Sequence, residues 1–254
     1  MPFTFACFLT IASLLPGAGG DPRADPYFAR PELRALLDWV SFQVTFDDGT
    51  LAPQMAAGDY KFTLSGTPRF APGIKGLALQ AGGDSGTALY AGPGNLPLAT
   101  RGALTMWLCP LEWTHVNGGN TTFMLTGNGT FYLERQGPMH NAEGVVTRQE
   151  VLLGLLRNTP AGPATLYADT TSWPAGQWRL IVLDWDWPIV SMSVNGEDFS
   201  PATTTGRPRP EDFPSFGLGS RDGEKTLIDE VTIFRRPLTR AEAQAIYQVF
   251  KPAG

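Results

Sequence analysis

Three groups of residues in this 254-residue chain have the types and spacing to do chemistry. The first is Asp229, in the alternating run 227–234, where it shares a face with Val231 and Ile233. A carboxylate on the inner side of a sheet is costly unless something pairs with it. A hard cation is one solution, because oxygen ligands on short loops suit calcium. Backbone N–H donors from a loop, or an arginine, are the others. The second group is Trp185-Asp186-Trp187, two indoles on one side of an extended chain flanking a carboxylate, with Trp113 and Trp173 also near strand ends. Exposed rings beside a carboxylate could stack on a sugar and bind its hydroxyls. The same rings could instead tuck under a neighbouring loop, since large aromatics are usually buried. The third group is the carboxylate pairs. Asp184 and Asp186 point the same way but run into a turn before Pro188. Asp229 and Glu230 are adjacent in a strand and are predicted to face opposite ways. No serine-nucleophile elbow, zinc motif or phosphate loop occurs, and His115 and His140 fall in no partner motif.

The elements that must position these residues are strands. Residues 189–194 alternate, then Asn195-Gly196 supplies the pair that a type I′ hairpin turn requires, and residues 179–184 form the partner run. Further strands are predicted at 42–46, 60–64, 76–80, 87–90, 103–109, 122–126, 131–135, 151–157 and 165–168, separated by Gly, Pro, Asn or Asp about every ten residues. Asn128-Gly129 reads as a hairpin turn. Residues 31–40 have helical spacing, with Leu33, Leu36, Leu37 and Val40 on one face and Pro31 at the start. Thr239 and Glu242 form a capping box on a short C-terminal helix. Many strands without interleaved helices predict antiparallel sheets packed face to face.

Composition narrows the function classes. The chain is 43% hydrophobic and 17% charged, which is globular, and 29 Gly with 22 Pro supply turns for many strands. A net charge of −5 without a basic cluster argues against nucleic acid and anionic membranes as partners. Residues 3–15 are apolar and 16–20 are small, which predicts a secretory signal over 1–20, followed by a leader with a short helix over 21–41. No later stretch is long and apolar enough for membrane insertion. Cleavage would remove Cys7 and leave Cys109 alone as a small buried hydrophobe, with no internal disulfide.

The order of features resembles a known family. Val44-Thr45-Phe46-Asp47-Asp48-Gly49 is followed by Gly73-Ile74-Lys75-Gly76-Leu77-Ala78-Leu79 and Ala103-Leu104-Thr105-Met106-Trp107-Leu108. Then come Gly176-Gln177-Trp178-Arg179-Leu180-Ile181-Val182, Ser193-Val194-Asn195-Gly196, Ile228-Asp229-Glu230-Val231-Thr232-Ile233-Phe234 and Arg236-Pro237-Leu238-Thr239-Arg240-Ala241-Glu242. The succession resembles the laminin-G-like jelly-roll domains of the concanavalin A-like lectin and glucanase superfamily, over residues 42–250. The resemblance implies an all-β, two-sheet antiparallel jelly-roll sandwich. In related glucanases the matching strand aspartate joins groups near the first strand to hold structural calcium, which implies Asp229 with Asp47 and Asp48. The resemblance implies an exported binding module, and the glucanase pattern Glu-x-Asp-x-x-Glu is missing. The reading is therefore a secreted, non-catalytic module for carbohydrate or a surface glycoconjugate, with Trp185, Asp186, Trp187 and Trp113, chosen for their places near loops and strand ends, as the ligand residues. The alternatives are a glycan-active hydrolase with an unrecognised carboxylate site, or a structural envelope or matrix module.

Overall fold

The computed structural model describes residues 26–114, 119–127, 129–156 and 163–251. The predicted signal, Cys7, His115 and Asn128 lie outside the described residues. Among the described residues, no helix is long and apolar enough to cross a membrane.

Two antiparallel sheets face each other. The first contains β1 (Val40–Val44), β2 (Met55–Ala56), β4 (Phe70–Pro72), β5 (Leu77–Ala81), β7 (Arg101–Pro110), β14 (Arg179–Asp186), β15 (Ile189–Val194), β16 (Ser200–Thr203) and β18 (Thr226–Phe234). Its order is β16-β15-β14-β7-β18-β1-β2, with β5 on β18 and β4 on β5. The second contains β3 (Phe62–Ser65), β6 (Thr87–Ala91), β8 (Thr121–Thr126), β9 (Phe131–Gln136), β12 (Val151–Leu156), β13 (Ala164–Asp169) and β17 (Ser215–Leu218). Its order is β13-β12-β9-β8-β17-β6-β3. A small hairpin, β10 (Met139–His140) with β11 (Val146–Arg148), stands apart. The two-sheet sandwich is the fold class expected from the sequence.

The inner faces meet in one apolar core. Phe42, Val44, Met106 and Ile233 of the first sheet pack with Tyr90, Leu133, Leu152 and Phe216 of the second. The Phe42 ring meets Tyr90 at 4.9 Å and Phe216 at 5.1 Å, both edge-on, the geometry that aromatic quadrupoles favour. The outer face of the first sheet is covered too. Leu33, Leu36, Trp107, Val182, Phe234 and Ile246 form a second cluster there, and Trp107 stacks on Tyr247 at 5.7 Å. This explains why β1 and β18 are buried along their whole length, where the sequence predicts a half-buried first strand.

Local signals act where the sequence places them. Asn195 and Gly196 both have positive φ, 55° and 72°. Thr239 accepts the Glu242 N–H and the Glu242 carboxylate accepts the Thr239 N–H, closing the capping box on α3 (Arg240–Phe250). The helix predicted over 31–40 is shorter: α1 (Pro26–Ala29) and α2 (Pro31–Arg34) precede a 3₁₀ turn at Leu37–Trp39. Val40 pairs with Phe234 instead. The ladder outweighs helix propensity at that β-branched residue. Cys109 is buried, and burial raises its thiol to about 11, so it packs as a hydrophobe.

Candidate functional site

β18 changes partner in mid-strand. Residues 226–228 pair with β5, whereas 231–234 pair with β1. Between them the register against β7 slips, and Glu230 has φ 48°. This bulge turns two adjacent carboxylates the same way. Asp229 and Glu230 are both 0% exposed and both meet the turn at 73–76. The expectation of opposite faces fails here because alternation assumes an unbroken pleat.

Asp229 caps that turn. Its Oδ2 accepts the Ile74 N–H at 2.9 Å and its Oδ1 accepts the Glu230 N–H at 2.9 Å. Burial pushes the carboxyl up to about 8, opposed by the N–H donors of Ile74, Glu230 and Lys75 and reinforced by the charge of Asp47. A Cβ at Gly73 would overlap the Asp229 carboxylate, so this closeness requires glycine. Asp47 lies beside the pocket and holds Lys75 Nζ at 2.6 Å. Asp48 turns away: its Oδ1 accepts the Thr50 N–H at 3.1 Å and the Thr50 hydroxyl at 2.8 Å. Asp48 therefore does not join Asp229 and Asp47 at the turn. Among the described residues no three His, Cys, Asp or Glu side chains group as metal ligands, and the Lys75 ammonium lies against Asp47 and Glu230.

The tryptophans serve packing. Trp185 is 4% exposed and donates its indole N–H to the Pro97 carbonyl at 3.1 Å. Trp187 is half-buried and donates to the Leu98 carbonyl at 2.7 Å. The 97–98 loop thus covers both rings and leaves Asp186 exposed beside them. Trp113 is 8% exposed, stacks on Trp173 at 5.8 Å and donates to Thr226 Oγ1 at 2.7 Å. The Arg135 guanidinium lies 5.0 Å from the Trp113 ring and also binds Glu150 and Glu224. Trp185 and Trp113 accordingly offer no open stacking face. Asp184 and Asp186 share a face of β14 but differ in burial: Asp186 is exposed, whereas Asp184 is buried and accepts the Leu238 N–H with both oxygens, at 3.3 and 3.2 Å.

The open surface is the outer face of the second sheet. Inward residues of its strands fill the core, and among their alternates Leu89, Leu125 and Tyr167 are exposed, Tyr132 and Glu134 are partly exposed, and Leu153 and Gly217 are buried. Register places Thr63, Leu89, Gly217, Leu125 and Tyr132 in one cross-strand row. The next row holds Thr122, Glu134, Leu153 and Tyr167. Tyr167 is 60% exposed, Leu89 40% and Leu125 36%. Gly217 lies between the two leucines and is itself buried, with the Thr87 and Leu89 side chains packed over it. Glu134 and Gln136 lie along β9, with Gln136 Nε2 donating to Glu134 Oε1 at 2.6 Å. Reasoning from the sequence misses this face. The signal is the alternation Tyr132, Glu134, Gln136, which is masked because its inward partner is the charged Arg135.

Known proteins share this geometry. A family model described as Concanavalin A-like lectin/glucanases superfamily matches residues 81–244. A comparison with curated protein sequences finds no match. Among solved structures, a receptor-binding domain superposes with TM-score 0.67 at 10% identity, covering 88% of this chain and 54% of its own. The binding domain of botulinum neurotoxin DC in complex with SialylT gives 0.64 at 12% identity, covering 85% and 52%. This chain thus spans about half the length of those receptor-binding chains. Domain 4 of AbnA, a GH43 extracellular arabinanase from Geobacillus stearothermophilus, in complex with arabinotriose, gives 0.58 at 18% identity, covering 83% and 98%. At these identities the likeness concerns fold alone. The family match spans most of the sandwich and meets the same architecture in the structure: this chain belongs to the Laminin_G_3 family of the Concanavalin A-like lectin/glucanases superfamily.

Proposed function

We propose that this protein is an exported glycan-binding module that takes an oligosaccharide on the outer face of its second sheet. The observation that carries the reading is the surface made by Tyr132, Glu134, Gln136 and Tyr167 beside Leu89 and Leu125. A pyranose or furanose has apolar C–H faces and polar rims. Phenol rings and leucines receive the first, and a carboxylate and an amide receive the second. Two domains of the same fold were solved with arabinotriose and with SialylT, which supports a sugar as the partner class. Export rests on the apolar, small-ended stretch over 1–20.

Titration against arabino-oligosaccharides and sialylated glycans, chosen from a glycan array, tests this. Tyr167→Ala should weaken binding about tenfold, equivalent to ~1.4 kcal/mol, and Glu134→Gln should weaken it in a ligand-dependent way. Both variants should melt within about 2 °C of the parent, because surface changes cost little. Binding unaffected by these changes but lost in Trp187→Ala would move the site to the β14–β15 turn, where Asp186 is exposed. An absence of glycan binding across the array would remove the reading.

A further inference from the structure

We propose that the ammonium of Lys75 is the resident cation of the pocket beneath β18, carried on the chain in place of a free metal ion. Three observations converge on it. First, the bulge brings Glu230 to the same side as Asp229, and Lys75 Nζ lies 2.6 Å from Asp47 Oδ2 and 3.6 Å from Glu230 Oε1. One positive group thus joins a partly exposed carboxylate to a fully buried one. Second, the backbone is committed to this arrangement. Phe46 and Glu230, both non-glycine, sit at φ 62° and 48° on either side of the pocket. Such conformations cost free energy and persist only where surrounding contacts over-determine them. Third, the turn that carries Lys75 is locked in place. Gly73 N–H bonds to the Gly76 carbonyl at 3.0 Å, Leu77 N–H to the Asp47 carbonyl at 3.2 Å, and Ile74 N–H to Asp229. A Cβ at Gly76 would collide with Asp47, so glycine brings the turn onto the acidic strand end.

The physical logic is charge compensation without a dissociable ligand. A buried glutamate beside two aspartates needs a counter-charge. A divalent ion would supply it, and its stabilisation would depend on free ion concentration. A tethered ammonium supplies it at any ion concentration. Lysine suits the role because its ammonium is a compact charge on a flexible stem, reaching two carboxylates without the fixed fork of arginine. Asp48 is not recruited, consistent with a site that gathers fewer oxygens than calcium takes.

The experiment is thermal melting of the full chain and of Lys75→Met and Lys75→Arg, each in EDTA and in 10 mM CaCl₂. The parent should shift by less than about 1 °C between the two conditions, by the mass-action rule for a site that binds no ion. Lys75→Met keeps the aliphatic stem and removes the charge. It should melt below the parent in EDTA and recover by roughly 3–5 °C in calcium, as expected for a weak oxygen site of ~1 mM affinity. Should Lys75→Met fail to fold in EDTA, folding rescued by calcium is the same result in stronger form. Lys75→Arg retains the charge and should not respond to calcium. A parent destabilised by EDTA overturns the proposal. So does a Lys75→Met variant as stable as the parent, or one indifferent to calcium.

Discussion

Replacing Arg135 with methionine is expected to lower the melting temperature by roughly 10 °C. The guanidinium is fully buried at the end of the sandwich. It donates to Glu150 at 3.0 Å, pairs with Glu224, donates to the Thr114 carbonyl at 2.9 Å and the Gly119 carbonyl at 3.1 Å, and lies over the Trp113 ring. Methionine keeps much of the unbranched stem and none of the charge. Glu150, 1% exposed, would keep the Thr170 hydroxyl at 3.1 Å and lose its cation. Removing one partner of a buried pair typically costs about 3–5 kcal/mol, because the other charge is left uncompensated. A chain of this size loses about 2–4 °C per kcal/mol. The companion Arg135→Met/Glu150→Met should recover a large part of the loss, since it removes the two fully buried charges together and leaves only Glu224, which is partly exposed. Melting by circular dichroism at neutral pH checks both. A single variant within about 2 °C of the parent, or a double variant worse than the sum of its parts, would contradict this account of the network.

Stability should also fall as pH rises through the neutral range, and Asp184 should be one measurable cause. Burial pushes its carboxyl up to about 8. The Leu238 N–H and Arg236 oppose that rise, and Glu242 adds to it. On its own ladder it faces Ala103 and Ser191, neither of which carries charge. Between the ordinary aspartate value and about 8, the folded state holds a proton that the unfolded chain has released. The stabilisation from the neutral form is complete below the ordinary value and is lost as pH rises through the folded one. Asp184→Asn keeps an acceptor for the Leu238 N–H and cannot ionise. It should match the parent at about pH 3.5 and exceed it at pH 9 by ~2 kcal/mol or more, since each tenfold change in proton affinity on folding is worth about 1.36 kcal/mol. Urea denaturation of both proteins across that range measures the difference. Parallel profiles would mean that Asp184 is ionised in the folded state throughout.

The sites are legible in the sequence to different degrees. Asp229 stands out because an acidic residue sits in an apolar alternation, and the structure does bury it against a loop. What it touches is beyond the sequence, because the Glu230 bulge arises where β18 passes from β5 to β1, a contact between segments some 150 residues apart in the chain. The indole pair reads as a rim because its residues fall at a strand end. The 97–98 loop that covers them lies far away in sequence. β17 escapes notice for a related reason: Ser215–Leu218 is four residues with a central glycine, and only its neighbours β6 and β8 make it a strand.

What the chain determined alone is what short-range sterics and hydrogen bonds decide. The Asn195-Gly196 turn, the Thr239–Glu242 cap, the strand alternations and the two-layer architecture all follow from residue identity within a few positions. Tertiary structure decided which face of each strand is covered, where the pleat breaks and which charge answers which. Burial and electrostatic pairing depend on what arrives from elsewhere in the chain, and local sequence carries no record of that.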